Sequence, residues 1–183
     1  MGVNVAVFLS MVAVTGSAGW SAQTLLAWGG NLGLLSLHGQ FWRLFTATYL
    51  HANFQHILGN MVLLAITGHY VGTRIGPLRF ILAYTLCGVM ASLLSAWGNP
   101  QVVSVGASGA IAGILGIMVA FYASGRCPEI SGKWMAQTVG INAVYSLAPN
   151  VDWLAHLGGF AAGLVCGAGL LTTSVIPPRS YES

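Results

Sequence analysis

The sequence predicts an all-α membrane protein, a bundle of six transmembrane helices with a membrane-embedded outer loop between the first and second. Three observations carry this. Charged residues make up 5% of the 183 and hydrophobic residues 56%. Soluble domains carry about a quarter charged residues, so a water-facing surface cannot be covered with so few, and a bilayer is the solvent that tolerates the composition. Six apolar segments follow one another along the chain, at about 3–18, 51–71, 78–97, 106–123, 134–149 and 153–173. Threading them as six spans puts Arg74, Arg79, Arg126, Lys133 and Arg179 on one side, whereas five spans would scatter these charges over both faces.

The positive-inside rule makes that side cytoplasmic, together with both termini. The length allows one domain of several spans, 1–183, with no soluble domain appended. A net charge of +3, dispersed along the chain, excludes nucleic acid as a partner and leaves the lipid bilayer. Cys87, Cys127 and Cys166 show no CxxC spacing and read as small packing residues, so no metal site and no cofactor is expected.

The first segment has the length of a signal-peptide core but lacks the Lys or Arg of an n-region, so it reads as a retained span. The segment 19–50 holds Trp20, Trp28, Phe41, Trp42 and Tyr49 among glycines, with Arg43 as its single cation. Aromatic residues of this kind favour the membrane interface, and the segment is expected to fold partly into the outer leaflet. The fifth span is short and carries Gln137, Asn142 and Tyr145, which makes it the weakest span and the movable wall, if there is one.

Spans two, four and six all enter from the outer side. The polar residues near their starts therefore share one depth: His51, His56 and Asn60 on the second, Ser108 on the fourth, His156 on the sixth. Polar groups inside a bilayer are costly and face the bundle interior or a water-filled cavity. Singly, each has a plain structural reading: a serine back-bonding to its own helix, a packed histidine, an asparagine joining two helices. Together they form a chemical set. A serine becomes a nucleophile when a base removes its proton, and a neutral imidazole does this near pH 7. Attack on a peptide carbonyl creates an oxyanion that needs preset donors. His56 and Asn60, four apart, share a helix face and can both donate, and the Ser108 N–H at a helix start is a further donor. Gly109 and Gly113 on span four, and Ala155, Gly159, Gly163 and Gly167 on span six, are small-residue stripes that let the two backbones approach. That approach brings Ser108 within reach of His156.

FWRLFTATYLHANFQHILGN (41–60), GASGAIAG (106–113) and AHLGGFAAG (155–163), in this order, resemble the rhomboid family of intramembrane serine proteases over nearly the whole chain. GxSG alone is weak; the ordered set, each motif opening the right span, is strong. The resemblance implies a Ser–His dyad with no acidic third member: Ser108 as nucleophile, His156 as general base and acid, His56 and Asn60 lining the oxyanion hole. It makes His51 a structural histidine and Trp42–Arg43 an outer-loop motif at the lipid interface. It implies transmembrane protein substrates with helix-weakening small residues near the cut, no cofactor, and a site open to the outer side. One position departs from the pattern: four residues after the serine the family often has an aromatic that stacks on the base, and this chain has Ala112. Asp152, four before His156, is a weak candidate for a third triad member. The minimal six-span length points to a bacterial inner membrane. Two other classes stand beside the protease: an inactive rhomboid-like protein that holds membrane clients, and, further back, a small histidine-relay transporter. Substrate identity and oligomeric state are not legible.

Overall fold

In the computed structural model of the chain, residues 1–149 and 151–172 are described. Arg179 and the last residue of the sixth apolar segment lie outside them. Among the described residues the fold is all-α, and each of the six apolar segments holds one long helix. These are α1 (Gly2–Thr15), α5 (Phe54–Ile75), α6 (Pro77–Gly98), α7 (Ser108–Ala123), α8 (Gly132–Ser146) and α9 (Trp153–Leu171). Three short helices, α2 (Ala22–Ala27), α3 (Gly33–Ser36) and α4 (Arg43–Thr46), and a 3-10 turn at Ala47–Tyr49 make up the loop between α1 and α5.

Local chemistry sets the ends. Asn53 caps α5 by accepting the His56 N–H at 2.9 Å. Gly76, at φ +79°, closes α5, and Pro77 opens α6 where its missing N–H has no helical partner to lose. Ser131 caps α8 through the Trp134 N–H. Asp152 caps α9 through the Ala155 N–H at 3.1 Å.

Helix α7 is the centre of the bundle, packed by α5, α6 and α9. It is apolar all round and buries an unbroken run from Gly113 to Met118, as a helix enclosed on every side must. Its tightest neighbour is α9. A Cβ on Gly159 would lie 1.9 Å from the Gly109 carbonyl oxygen, and one on Gly163 1.9 Å from that of Gly113. Only hydrogen fits at either place, so the two backbones touch along the expected stripes.

The outer surface is apolar. Leu147 (79% exposed), Trp97 (75%), Val165 (74%) and Val144 (73%) are among many large hydrophobics facing away from the bundle. Such a surface suits lipid rather than water. Two helices, α6 and α9, meet length and hydropathy together for a membrane crossing; α1 and α7 are shorter apolar helices.

The outer loop is folded, not extended. An isolated bridge from Gly19 to Asn53 ties its two ends, and one from Asn31 to Ser104 ties its middle to the segment before α7. The buried Asn31 amide donates to the Ser92 carbonyl at 2.8 Å and its oxygen accepts from Ser36 at 2.6 Å, which fastens the loop to α6.

Candidate active site

A cavity of about 760 Å3 opens at the N-terminal ends of α5, α7 and α9. Ser108, His56 and His156 all line it. The exposed residues Asn53, Gln55 and Val102 are at its rim.

Ser108 is the first residue of α7. Gly106, two before it, takes φ +131°, a conformation open to glycine, and donates its N–H to the Ala47 carbonyl at 2.9 Å. This bend delivers the serine to the cavity. Elsewhere in the chain Ser10, Thr67, Thr138 and Ser146 return their hydroxyls to the carbonyl four residues back. At the first helical position no such helical carbonyl precedes Ser108, and its hydroxyl has no hydrogen-bond partner among the described residues. The structural reading of a back-bonded serine therefore fails here.

His56 sits one turn inside α5. The Ala52 backbone N–H donates to its Nδ1 at 3.4 Å, which in the neutral ring assigns the hydrogen to Nε2. A Cβ on Gly106 would stand 2.8 Å from His56 Nε2, so this donor edge lies against the loop that leads into Ser108. Asn60 follows on the same face. It is buried behind the cavity wall, with Nδ2 3.7 Å from the same point beside Gly106, and Nδ2 has no partner among the described residues.

His156 stands on α9 beside Ala155, whose carbonyl abuts Gly109 on α7. The backbone contact is between the next residue of α7 and the preceding one of α9, and Ser108 and His156 both line the one cavity. The structure leaves the pair open: His156 bonds through Nδ1, to the Ser146 hydroxyl of α8 at 2.6 Å, and no bond joins it to Ser108. Catalytic hydrogen bonds are often long in an empty site and close with substrate.

The rhomboid domain family matches residues 38–173, which include the loop after α3 and the three helices that carry the cavity, α5, α7 and α9. The chain belongs to the rhomboid family. Rhomboids are integral membrane proteins. RHOMBOID-like protein 1 of Arabidopsis thaliana is 37% identical over 140 residues, 70% of this chain and 34% of that protein. Rhomboid protease GluP of Bacillus subtilis (strain 168) is 31% identical over 159 residues, 82% of this chain and 30% of that protein. Rhomboid-like protease 3 of Toxoplasma gondii is 31% identical over 160 residues, 79% of this chain and 58% of that protein. The chain spans about a third to three-fifths of the length of these relatives.

Ala112 on α7 carries no ring, and an aromatic from another helix meets His156: Tyr145 of α8 stacks on it, centroids 6.4 Å apart and planes 19° from parallel. Asp152 makes no hydrogen bond to His156. One carboxylate oxygen accepts the Ala155 N–H and the other the Ser95 hydroxyl, so the acid is used in capping α9 and tying it to α6. Ser146 was not singled out by sequence, although it ends a span at the depth where the others begin.

The outer-loop pair divides its work. Trp42 is exposed at the surface, with the Arg43 guanidinium 4.5 Å from its ring centroid. Arg43 itself is buried, unlike the interface role expected of it. It donates to the Leu26 carbonyl at 2.6 Å, the Gly30 carbonyl at 3.0 Å and Gln40 Oε1 at 2.6 Å, and so pins the loop from within. Burial and the loss of water lower its pKa from the ordinary arginine value. His51 is buried and meets His56 edge-on at 5.2 Å, with neither ring nitrogen hydrogen-bonded among the described residues.

Proposed function

We propose that this rhomboid is an intramembrane serine endopeptidase with a Ser108–His156 dyad, cutting transmembrane segments of other membrane proteins. The observation that supports it most is the convergence on one cavity of the unbonded Ser108 hydroxyl and two imidazoles from neighbouring helices, His156 and His56, with the unpartnered Asn60 amide buried behind the wall, on a family background that includes a named protease.

In this reading Ser108 Oγ attacks the scissile carbonyl carbon while its proton passes to His156 Nε2. The oxyanion accepts from His56 Nε2–H, the Ser108 N–H and the Asn60 amide turned forward from its unpartnered place. His156 then gives its proton to the leaving amine, and water hydrolyses the acyl-enzyme by the same steps in reverse order. A helical peptide bond is shielded by its own hydrogen bonds, so substrates with small, helix-weakening residues near the cut are favoured. They enter sideways from lipid past α8, whose wall is thin: Met135 is its one fully buried residue among those described.

The six long helices are proposed as six spans of a bacterial inner membrane, with the termini and the Arg- and Lys-bearing turns cytoplasmic and the cavity on the outer side. A second reading, a non-cleaving binder of membrane clients, is favoured by the open Ser108–His156 pair. Activity-based labelling separates the two. The detergent-purified chain is treated with a fluorophosphonate beside its Ser108→Ala variant. Labelling of the wild type alone is expected. Equal labelling of both removes Ser108 as nucleophile, and no labelling of either favours the binder.

A further inference from the structure

We propose that Ser146, on α8, is a positioning residue that fixes the tautomer and orientation of His156, in the place where a soluble serine protease uses an acid. The proposal rests on His156 being the base of the reading above. It needs one deduction from two distances. The Ser146 hydroxyl lies 2.6 Å from His156 Nδ1 and 2.7 Å from the Asn142 carbonyl oxygen, four residues back in its own helix.

A hydroxyl has one hydrogen, and a carbonyl oxygen can only accept. If Nδ1 were a bare lone pair, one of these two short contacts would bring two lone pairs together. Both are satisfied in one arrangement: Ser146 donates to Asn142, and Nδ1 carries a hydrogen that it donates to Ser146. Nε2 is then the bare nitrogen, the form required of a base that takes the proton of Ser108. The relay runs from the imidazole through a hydroxyl to a backbone carbonyl and includes no charge. That suits a site in a bilayer, where an additional buried carboxylate is costly, and it accounts for Asp152 being committed to Ser95 and the α9 cap.

Tyr145 completes the hold. Neighbouring residues of α8 meet the ring in two ways, Ser146 at its Nδ1 edge and Tyr145 across its face. The base is therefore oriented by α8 rather than by the position four after the nucleophile, which here is Ala112.

The test uses the full chain and a fluorophosphonate probe, with saturation kinetics separating the maximal labelling rate from the half-saturating concentration. Ser146→Ala is expected to lower the maximal rate about tenfold, the worth of one lost orienting hydrogen bond, with half-saturation unchanged. Ser146→Thr keeps both bonds and is expected to restore the rate. Thr138→Ala removes the same kind of back-bond from the same helix away from the histidine and is expected to label as the wild type. Independently, the 15N spectrum of His156 is expected to show the Nδ1–H tautomer, shifting toward Nε2–H in Ser146→Ala. A wild-type rate in Ser146→Ala, or an Nε2–H tautomer in the wild type, overturns the positioning role. Failure of the dyad is read separately, from labelling of Ser108→Ala, while the nitrogen spectrum reports on the relay whether or not the chain is labelled.

Discussion

Asn60 is 4% exposed, and its Nδ2 meets no acceptor among the described residues. A buried donor left unpaired costs about 1–3 kcal/mol. An asparagine retained there at that cost fits a group whose acceptor arrives with the reaction. Asn60→Ala should therefore lower kcat for cleavage of a fluorogenic transmembrane peptide by about 10²–10³-fold, the usual loss for one oxyanion donor. KM and thermal stability should barely change. A raised KM at constant kcat would instead make Asn60 a substrate-binding residue. The sequence already puts this residue beside His56, because a residue four after it shares its helix face. Ser146 and Tyr145 escaped the same logic for a physical reason. Polar residues were compared at the starts of spans two, four and six, while the fifth span ends at that level, so its last turn belongs to the same layer. Arg43 escaped it too. Its spacing beside Trp42 is visible, but the inward turn of its guanidinium depends on the carbonyls of Leu26 and Gly30, which a folded loop alone brings close.

Between elements, the contact that matters most is α7 against α9. It joins the two helices that carry Ser108 and His156 to the one cavity, and it depends on the absence of side chains. Gly159→Val must push aside the Gly109 backbone, 1.9 Å from its first added carbon, which no rotamer can relieve. Overpacking of this kind costs about 1–3 kcal/mol or more. A lowered midpoint in thermal unfolding of the detergent-solubilised chain, with fluorophosphonate labelling lost in parallel, is expected. Gly169→Ala on the same helix supplies the comparison: nothing lies within 4 Å of its new carbon, so stability should change by less than about 1 kcal/mol. An equal fall in both would mean that helix α9 tolerates no substitution generally and that the stripe has no special place. These stripes were legible in the sequence because a repeat of four survives any rotation of the helix. The short helices α2 to α4 were not. At four to six residues they hold too few positions for a period to show, and their form is set by the bridges to Asn53 and Ser104 and by Arg43.

Across the whole molecule, chemistry and charge are held at opposite ends. The cavity lies at the start of α5, and Arg74 lies near its end, almost the length of the helix away. There Arg74 pairs with Glu129 and also donates to the Arg126 carbonyl, while the Arg126 guanidinium donates to the Leu171 carbonyl at 3.0 Å, where α9 ends and its dipole is negative. This cluster joins three turns of one face with charges that favour water and the cytoplasmic side. The proposed orientation can be measured in the membrane itself. In a background with the three native cysteines replaced, a cysteine at Gln101, exposed beside the cavity end, should react with an impermeant maleimide added to intact cells. A cysteine at Ser124, exposed beside the arginine cluster, should react only after permeabilisation. The reverse pattern would place the active-site mouth in the cytoplasm and require the charged turns to have crossed the bilayer. Labelling of both from outside would break the thread of spans that puts Ser108, His56 and His156 at one depth, and the shared cavity would then need another explanation than a common side of entry.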